Sequence, residues 1–460
     1  MVRVCRNNKE SVLAMVRKGK LDAAALSTSN LVDEIILSMN KHGVLDCLNA
    51  GIPDRRGHNK TVPFELIWAS AIAAKMKIHS SLSDIPFAIT DHRTLAKLGY
   101  SLYDPDGTYN GLMRESSLRF LIGKYTGYEL VGAYRRIVQQ QILPQLDVAP
   151  HIHIMDSTPL EVNLDNPNYE LSAIGRNKHG EPTRGYTMLT VRGLYKDTGI
   201  IEEAVVVPMS CPEIEIARAL MKVTKVLHDG DILINDRGFI SRDIINLVKT
   251  THKTDTYIPL RKNMDAYKYA VQIAKAANKW ENHPNKKRIY QKIALVKNIG
   301  PMWQSDKPAE DVDMNACVVW DIKANNYFVF VSTDLSKSAR AIVKTYELRP
   351  EIEEDYRQLK DFWNIEDFKS TKFSVIAFHI VCVLFGYLFF QLYTMLPEGQ
   401  EFEAKSLPVA LKNFIPQALG YIVLYVGFNF GIFTLVEIMR LYAECEDGIK
   451  PKIEEILGGV

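Results

Sequence analysis

The stretch that most constrains this chain is residues 346–360, YELRPEIEEDYRQLK. Four acids, Glu351, Glu353, Glu354 and Asp355, crowd into little more than one helical turn. A helix is expected to open at Pro350, because proline suits the first helical position and disfavours helix in the residue before it. At ~100° per residue, Ile352, Tyr356, Leu359 and Trp363 then line one apolar stripe, the face a core would claim. Glu353, Arg357 and Lys360 fall on one flank of it, with Arg349 entering on the same side. Glu354 points away, and Asp355 and Glu351 occupy the opposite flank. Glu353 is thus expected to be the one carboxylate beside the core and inside a basic field. Such a group suits a metal ligand that also faces phosphate. An amphipathic surface helix of mixed charge has the same pattern.

A chain of 460 residues has room for two or three domains with substantial cores. Its 47% hydrophobic and 24% charged residues are ordinary for a soluble globular protein. Six scattered cysteines (Cys5, Cys47, Cys211, Cys317, Cys382, Cys445) form no C-x-x-C pair and read as reduced thiols, not zinc ligands or disulfides. The opening MVRVCRNNKE has no apolar signal region, so nothing marks the chain for export. The net charge of +2 hides an uneven distribution. Residues 249–297 hold 12 Lys and Arg against three Asp and Glu, whereas the last sixty residues hold five against eight. The basic stretch suits either a phosphate-binding surface or a solvated lysine-rich face.

Helices are expected over 31–41, 63–77 and 117–142, with turns such as AGIPDRRGHNK between them. At His151 the pattern changes. HIHIMD alternates and reads as a strand ending in Asp156. Two β-rich runs, TMLTVRGLY and IEEAVVVP, flank Lys196-Asp197-Thr198-Gly199, a hairpin signal. A helix over 213–228 leads to a second strand, DILIND, ending in Asp236, and Gly238 permits the turn into a helix opening near Ser241. The C-terminal ends of strands are where open α/β sheets gather their sites. Residues 256–333 read as further strands (TYIPLRK, RIYQKIALVK, ACVVWDI, YFVFVS). The apolar runs 375–393 and 418–436 are long enough to span a membrane, yet His379, Gln391 and Asn429 interrupt them and their flanks lack a clear Lys/Arg bias. A long helix crossing the sheet of an α/β domain would be as apolar, with His379 a satisfied core histidine.

Tyr346, Arg349, Glu353 and Lys360 fit Y-x2-R-x3-E-x6-K without a mismatch, and Asp236-Arg237-Gly238-Phe239 fits D-x-G-[YF]. In these motifs and their order the chain resembles bacterial insertion-sequence transposases of the DDE type. GLMRESSLRFLIGKY is similar to a segment commonly seen just before their core. The resemblance covers about residues 111–393 and implies an α/β protein. A ribonuclease-H-like catalytic core would occupy 149–255 and 334–395, interrupted by a β-rich insertion domain over 256–333. A helical N-terminal domain over 1–148 would recognise DNA ends, and a helical C-terminal region over 396–460 would be a candidate for dimerisation.

The resemblance also implies Asp156, Asp236 and Glu353 as catalytic residues and ligands of two Mg²⁺ or Mn²⁺ ions, a pairing suited to in-line displacement at phosphorus. It implies DNA contacts from Tyr346, Arg349, Lys360, Arg357 and Arg237. A base-stacking aromatic in the insertion is implied too, for which Trp280, Trp303 and Trp320 stand equal. The activity would be cleavage at the element's ends and joining of the 3′-hydroxyls to target DNA. A homodimer on double-stranded terminal inverted repeats would perform it, in the cytoplasm on the nucleoid and without a membrane. The alternative is a transposase-derived DNA-binding protein that has lost catalysis.

Overall fold

A computed structural model describes the chain except residues 1–2, 5, 28–29, 58–59, 61, 80, 90, 102–111, 178–179, 300–310, 415–420, 446, 449, 452–453 and 456–460. The chain divides into two compact units, Tyr134–Gln358 and Met1–Ala133 with Leu359–Val460.

The unit Tyr134–Gln358 is built on one mixed sheet. Its first three long strands, β1 (Ile152–Val162), β2 (Pro182–Tyr195) and β3 (Thr198–Pro208), are antiparallel neighbours. The β2–β3 hairpin closes through Lys196 and Asp197, with Lys196 at a φ of 54°. β2 is buried on both faces along most of its length, in keeping with its mostly apolar run. Helix α1 (Glu213–Met221) leads to β4 (Ile232–Asn235), which pairs parallel with β1. Helix α2 (Arg242–Thr251) leads to β5 (Asp255–Pro259), parallel to β4. The order so far is β3-β2-β1-β4-β5.

The β-rich stretch that follows joins the same sheet. After helix α3 (Asp265–Ala277) come β6 (Gln291–Val296), β7 (Asn315–Asp321) and β8 (Asn326–Ser332), and β8 pairs antiparallel with β5. The residues expected as strands therefore extend the core sheet, and α3 is an element the alternation did not disclose. Ile216, Leu220, Leu233, Ile244, Val248, Ala270 and Val318 share one buried core under this sheet. Helices α4 (Ala339–Tyr346) and α5 (Pro350–Asp361) close the unit. Pro350 opens α5 as expected.

Several boundaries differ from the sequence reading. β1 does not end at Asp156 but runs six residues further, because β2 pairs with it through Val162. Only its pairing with β4 stops, at Met155 opposite Asn235. Helix α1 ends at Met221, short of His228. The helix expected over 117–142 is Glu115–Ile122 and Gly127–Ile137, continued by a wider turn over Val138–Ile142. The break falls at Gly123, and the side chain of Glu129 accepts the Thr126 N–H to start the second helix.

In the other unit, Leu31–Lys41 forms a helix with the expected bounds, and Phe64–Met76 follows Pro63. The apolar run 375–393 lies in the helix Phe373–Met395, whose most apolar window is 94% buried. It packs on Phe64–Met76 and Leu31–Lys41, so its apolarity serves a helical core. Gly386 admits the Trp363 ring, which meets Tyr387 edge-on at 5.7 Å. The run 418–436 and the helical character expected of 396–460 need correction. Among the described residues, Tyr421–Val426 and Asn429–Thr434 form a hairpin paired with Ala23–Ser27, which also puts a strand in the N-terminal region. β-branched and aromatic residues around Gly427, at φ 61°, favour strands and a turn over a helix.

Candidate functional site

Asp156 and Asp236 are brought together by strand register. β1 and β4 run parallel and their pairing ends at Met155 opposite Asn235, so each aspartate is the next residue beyond the last pair. Asp156 stays in β1, held by β2, and Asp236 opens the tight turn Arg237–Phe239. Arg261, at the end of β5, steadies that turn by donating to the carbonyls of Arg237 and Gly238 at 3.2 and 3.3 Å.

Glu353 arrives on α5, which hydrogen bonds on its flanks tie to β1 and β2. The apolar stripe Ile352, Tyr356, Leu359 and Trp363 is buried as the periodicity requires. The Tyr356 hydroxyl donates to the Asp156 carbonyl at 2.6 Å, so its second contact, 2.7 Å to Thr190 Oγ1, must be received from the threonine. On the opposite flank, Arg192 of β2 is buried and donates to Asp355 at 2.6 Å and to Glu351 at 2.8 Å. Glu353 is therefore not the one carboxylate beside the core. Asp355 is the more deeply buried, and Glu353 is the exposed one.

One guanidinium occupies the centre. Arg349, in the turn before α5, donates to Asp156 Oδ2 at 2.7 Å, bonds Glu353 and lies 4.0 Å from Asp236 Oδ2. Asp156 is 8% exposed and also accepts the Ser157 N–H at 2.9 Å. Burial pushes its carboxyl up to about 6 against the pull of Arg349, and the charges of Asp236 and Glu213 add to the rise. Tyr346, at the end of α4, packs on Phe330 with ring centres 4.6 Å apart, and burial with the Asp236 charge raises its phenol well above the ordinary range.

Among the described residues no three Asp, Glu, His or Cys side chains stand close enough to share a metal ion, since Arg349 lies among the carboxylates. The donor set still fits a hard divalent cation. It is all oxygen, it comes from three separate elements, and it converges on a positive charge.

Residues 149–389 match the family described as the transposase DDE domain, more than half of the chain. The chain belongs to the DDE transposase family. A search of curated proteins gave no match.

Within this transposase, Arg357 and Lys360 are held by acids outside the expected three. Arg357 pairs with Glu354 at 2.5 Å, and Lys360 pairs with Glu366 at 3.0 Å. Arg237 is exposed beside Asp236. Trp280 and Trp320 belong to one aromatic cluster with Tyr327, their ring centres 5.4 Å apart, and Trp303 lies outside the described residues. His379 is a buried core histidine, as expected, with Nε2 3.1 Å from the Asn364 carbonyl. The sequence reading missed Arg192, Thr190, Arg261 and Glu213. For Arg192 a signal existed, because a lone charge inside the apolar run TMLTVRGLY calls for a buried partner.

Proposed function

We propose that this transposase cuts DNA at the ends of its insertion sequence and joins the freed 3′-hydroxyls to target DNA, with Asp156, Asp236 and Glu353 as the catalytic carboxylates. The observation that carries the reading is their convergence on Arg349 from β1, from the end of β4 and from α5. The strand order β3-β2-β1-β4-β5, with a hairpin on one side and parallel strands on the other, supports a ribonuclease-H-like core. Two Mg²⁺ or Mn²⁺ ions held by these carboxylates would supply activation of the attacking oxygen and stabilisation of the leaving one.

The chain's own residues do the positioning. Tyr356 ties α5 to the backbone of Asp156, so Glu353 and Asp156 keep a fixed spacing. Arg349 neutralises the acids in the absence of another cation and, once drawn off them, binds a DNA phosphate. Arg237, Arg357, Lys360 and Tyr346 supply further contacts to the backbone. The DNA is double-stranded, comprising terminal inverted repeats and target, and a homodimer brings two ends together in the cytoplasm.

Nicking of the cognate ends, measured with Mg²⁺ or Mn²⁺ against EDTA, tests this reading. Metal-dependent nicking by the wild type that vanishes in Glu353→Gln, with DNA binding retained, is the expected result. Nicking that survives in Glu353→Gln would remove Glu353 from the chemistry.

A further inference from the structure

A loop within the basic stretch, residues 283–290, reads HPNKKRIY and leads into β6. Lys286, Lys287 and Arg288 are followed at once by Ile289 and Tyr290. Ile289 is 72% exposed, the barest large apolar side chain among the described residues, and Tyr290 is 56% exposed. Ile322 joins them, since its N–H donates to the Tyr290 carbonyl at 2.9 Å and its side chain is also exposed. Lys323 Nζ stands 5.7 Å from the centre of the Tyr290 ring.

The shape of this loop is fixed from within. Asn285 Oδ1 accepts the Lys287 N–H at 3.0 Å, the Asn285 carbonyl accepts the Arg288 N–H at 3.0 Å, and His283 Nδ1 accepts the Asn285 N–H at 3.1 Å. Glu347 fixes it from outside, its carboxylate taking the Arg288 guanidinium at 3.2 Å and the Asn285 amide at 3.3 Å. Glu347 follows α4 and stands two residues before Arg349, so the loop is seated on the turn that supplies the central guanidinium of the acid site. Lys286 and Lys287 are exposed and make no ion pair among the described residues. A single bare apolar residue is ordinary on a protein surface. Three of them gathered on a rigid loop, beside lysines that no acid holds, call for a partner that is both anionic and apolar. Duplex DNA offers both in one groove, with phosphates on the rims and stacked base pairs between them.

We propose that Ile289 is a wedge that enters the minor groove of the element-end duplex and bends it, with Lys286 and Lys287 on the phosphates at the rims. This rests on the reading that the protein acts on double-stranded DNA. Tyr290, capped by Lys323, backs the wedge. Because the loop and Arg349 share one turn, the bend is set at a fixed offset from the acids.

The test is energy transfer between dyes at the two ends of a cognate-end duplex, kept uncut with EDTA, together with binding by fluorescence anisotropy over a range of salt. Wild-type protein should raise the transfer on binding. Ile289→Ala should abolish that rise and weaken binding by roughly 10-fold, with an unchanged melting temperature, whereas Ile289→Leu should keep both. Lys286→Ala and Lys287→Ala should each lower the slope of log affinity against log salt by roughly one and leave the transfer in bound DNA at its wild-type value. Val223→Ala, at a residue 52% exposed outside the basic stretch, should match the wild type. Wild-type binding with no rise in transfer, or a full rise with Ile289→Ala, would overturn the wedge and leave the DNA reading standing. Failure of the wild type to bind the duplex at all would bring down both.

Discussion

Strands β1 and β4 lie side by side and carry acids at both ends of their pairing, yet the two ends are neutralised very differently. At one end His153 is fully buried between two buried carboxylates, with Nδ1 2.7 Å from Glu202 and Nε2 3.4 Å from Asp231. Tyr195 donates to Glu202 at 2.7 Å, and His151 and His228 approach Asp231 at 3.3 and 3.5 Å. At the other end Asp156, Asp236 and Glu353 gather around one guanidinium. The same two strands therefore hold a closed ion network and an open one. At the buried end the fold brings counter-charges to each acid, whereas at the other end three acids share one guanidinium.

The largest expected effect is on chemistry at the open end. Asp156→Asn should lower nicking by roughly 10²–10³-fold or more while thermal stability holds or rises, since a like charge is relieved. A marked fall in melting temperature would show that the acids there are structural after all. At the closed end the opposite is expected. Glu202→Gln should cost about 3–5 kcal/mol of stability, the range for stripping one partner from a buried ion pair. Arg192→Ala, which takes the guanidinium from buried Asp355, belongs to the same class, and denaturant titration measures both.

The pH dependence sharpens the contrast further. Burial alone would pull His153 down, but Glu202 and Asp231 overcome it and hold the imidazole up at about 9. Since folding raises this group above its ordinary 6.5, its contribution is complete below about pH 6.5 and is lost as pH rises through about 9. Glu203, next along β3, is pushed up to about 7 by burial and adds a loss of the same sign as pH rises through 7. Unfolding midpoints measured from pH 6 to pH 10 should therefore fall, and a flat profile would mean that His153 is not a buried cation.

Smaller effects are expected on DNA binding. Arg349→Ala and Lys360→Ala should each reduce the slope of log affinity against log salt by roughly one, and unchanged slopes would remove them from the phosphate contacts. Smallest of all, Glu354→Gln should leave nicking close to wild type and cost at most about 1 kcal/mol, because Glu354 is exposed and bonded to Arg357 and Gln358 on the surface.

Much of this was readable along the chain because it depends on local pattern. The strand before Asp236, the hairpin at Lys196 and the apolar face of α5 follow from periodicity and turn chemistry. What was not readable depends on partners distant in sequence. β1 passes through Asp156 because β2 pairs with it, and no feature of HIHIMD announces that. Asp355 is buried because Arg192, 163 residues away, meets it there. Glu213 lies in a helix start that looks like many others, and only the fold brings it beside Ser157. The run 418–436 misled because apolar composition is shared by core helices and buried hairpins, and among the described residues Gly427 was the only hint of a turn.

The position of Arg349 has a consequence for biosynthesis. It comes from the turn beside the acids it neutralises, and so emerges from the ribosome only four residues before Glu353. By the time the last of the three acids is made, its counter-ion is already present on the same chain. The buried charge of Asp156 is thus matched from within the chain as α5 takes shape.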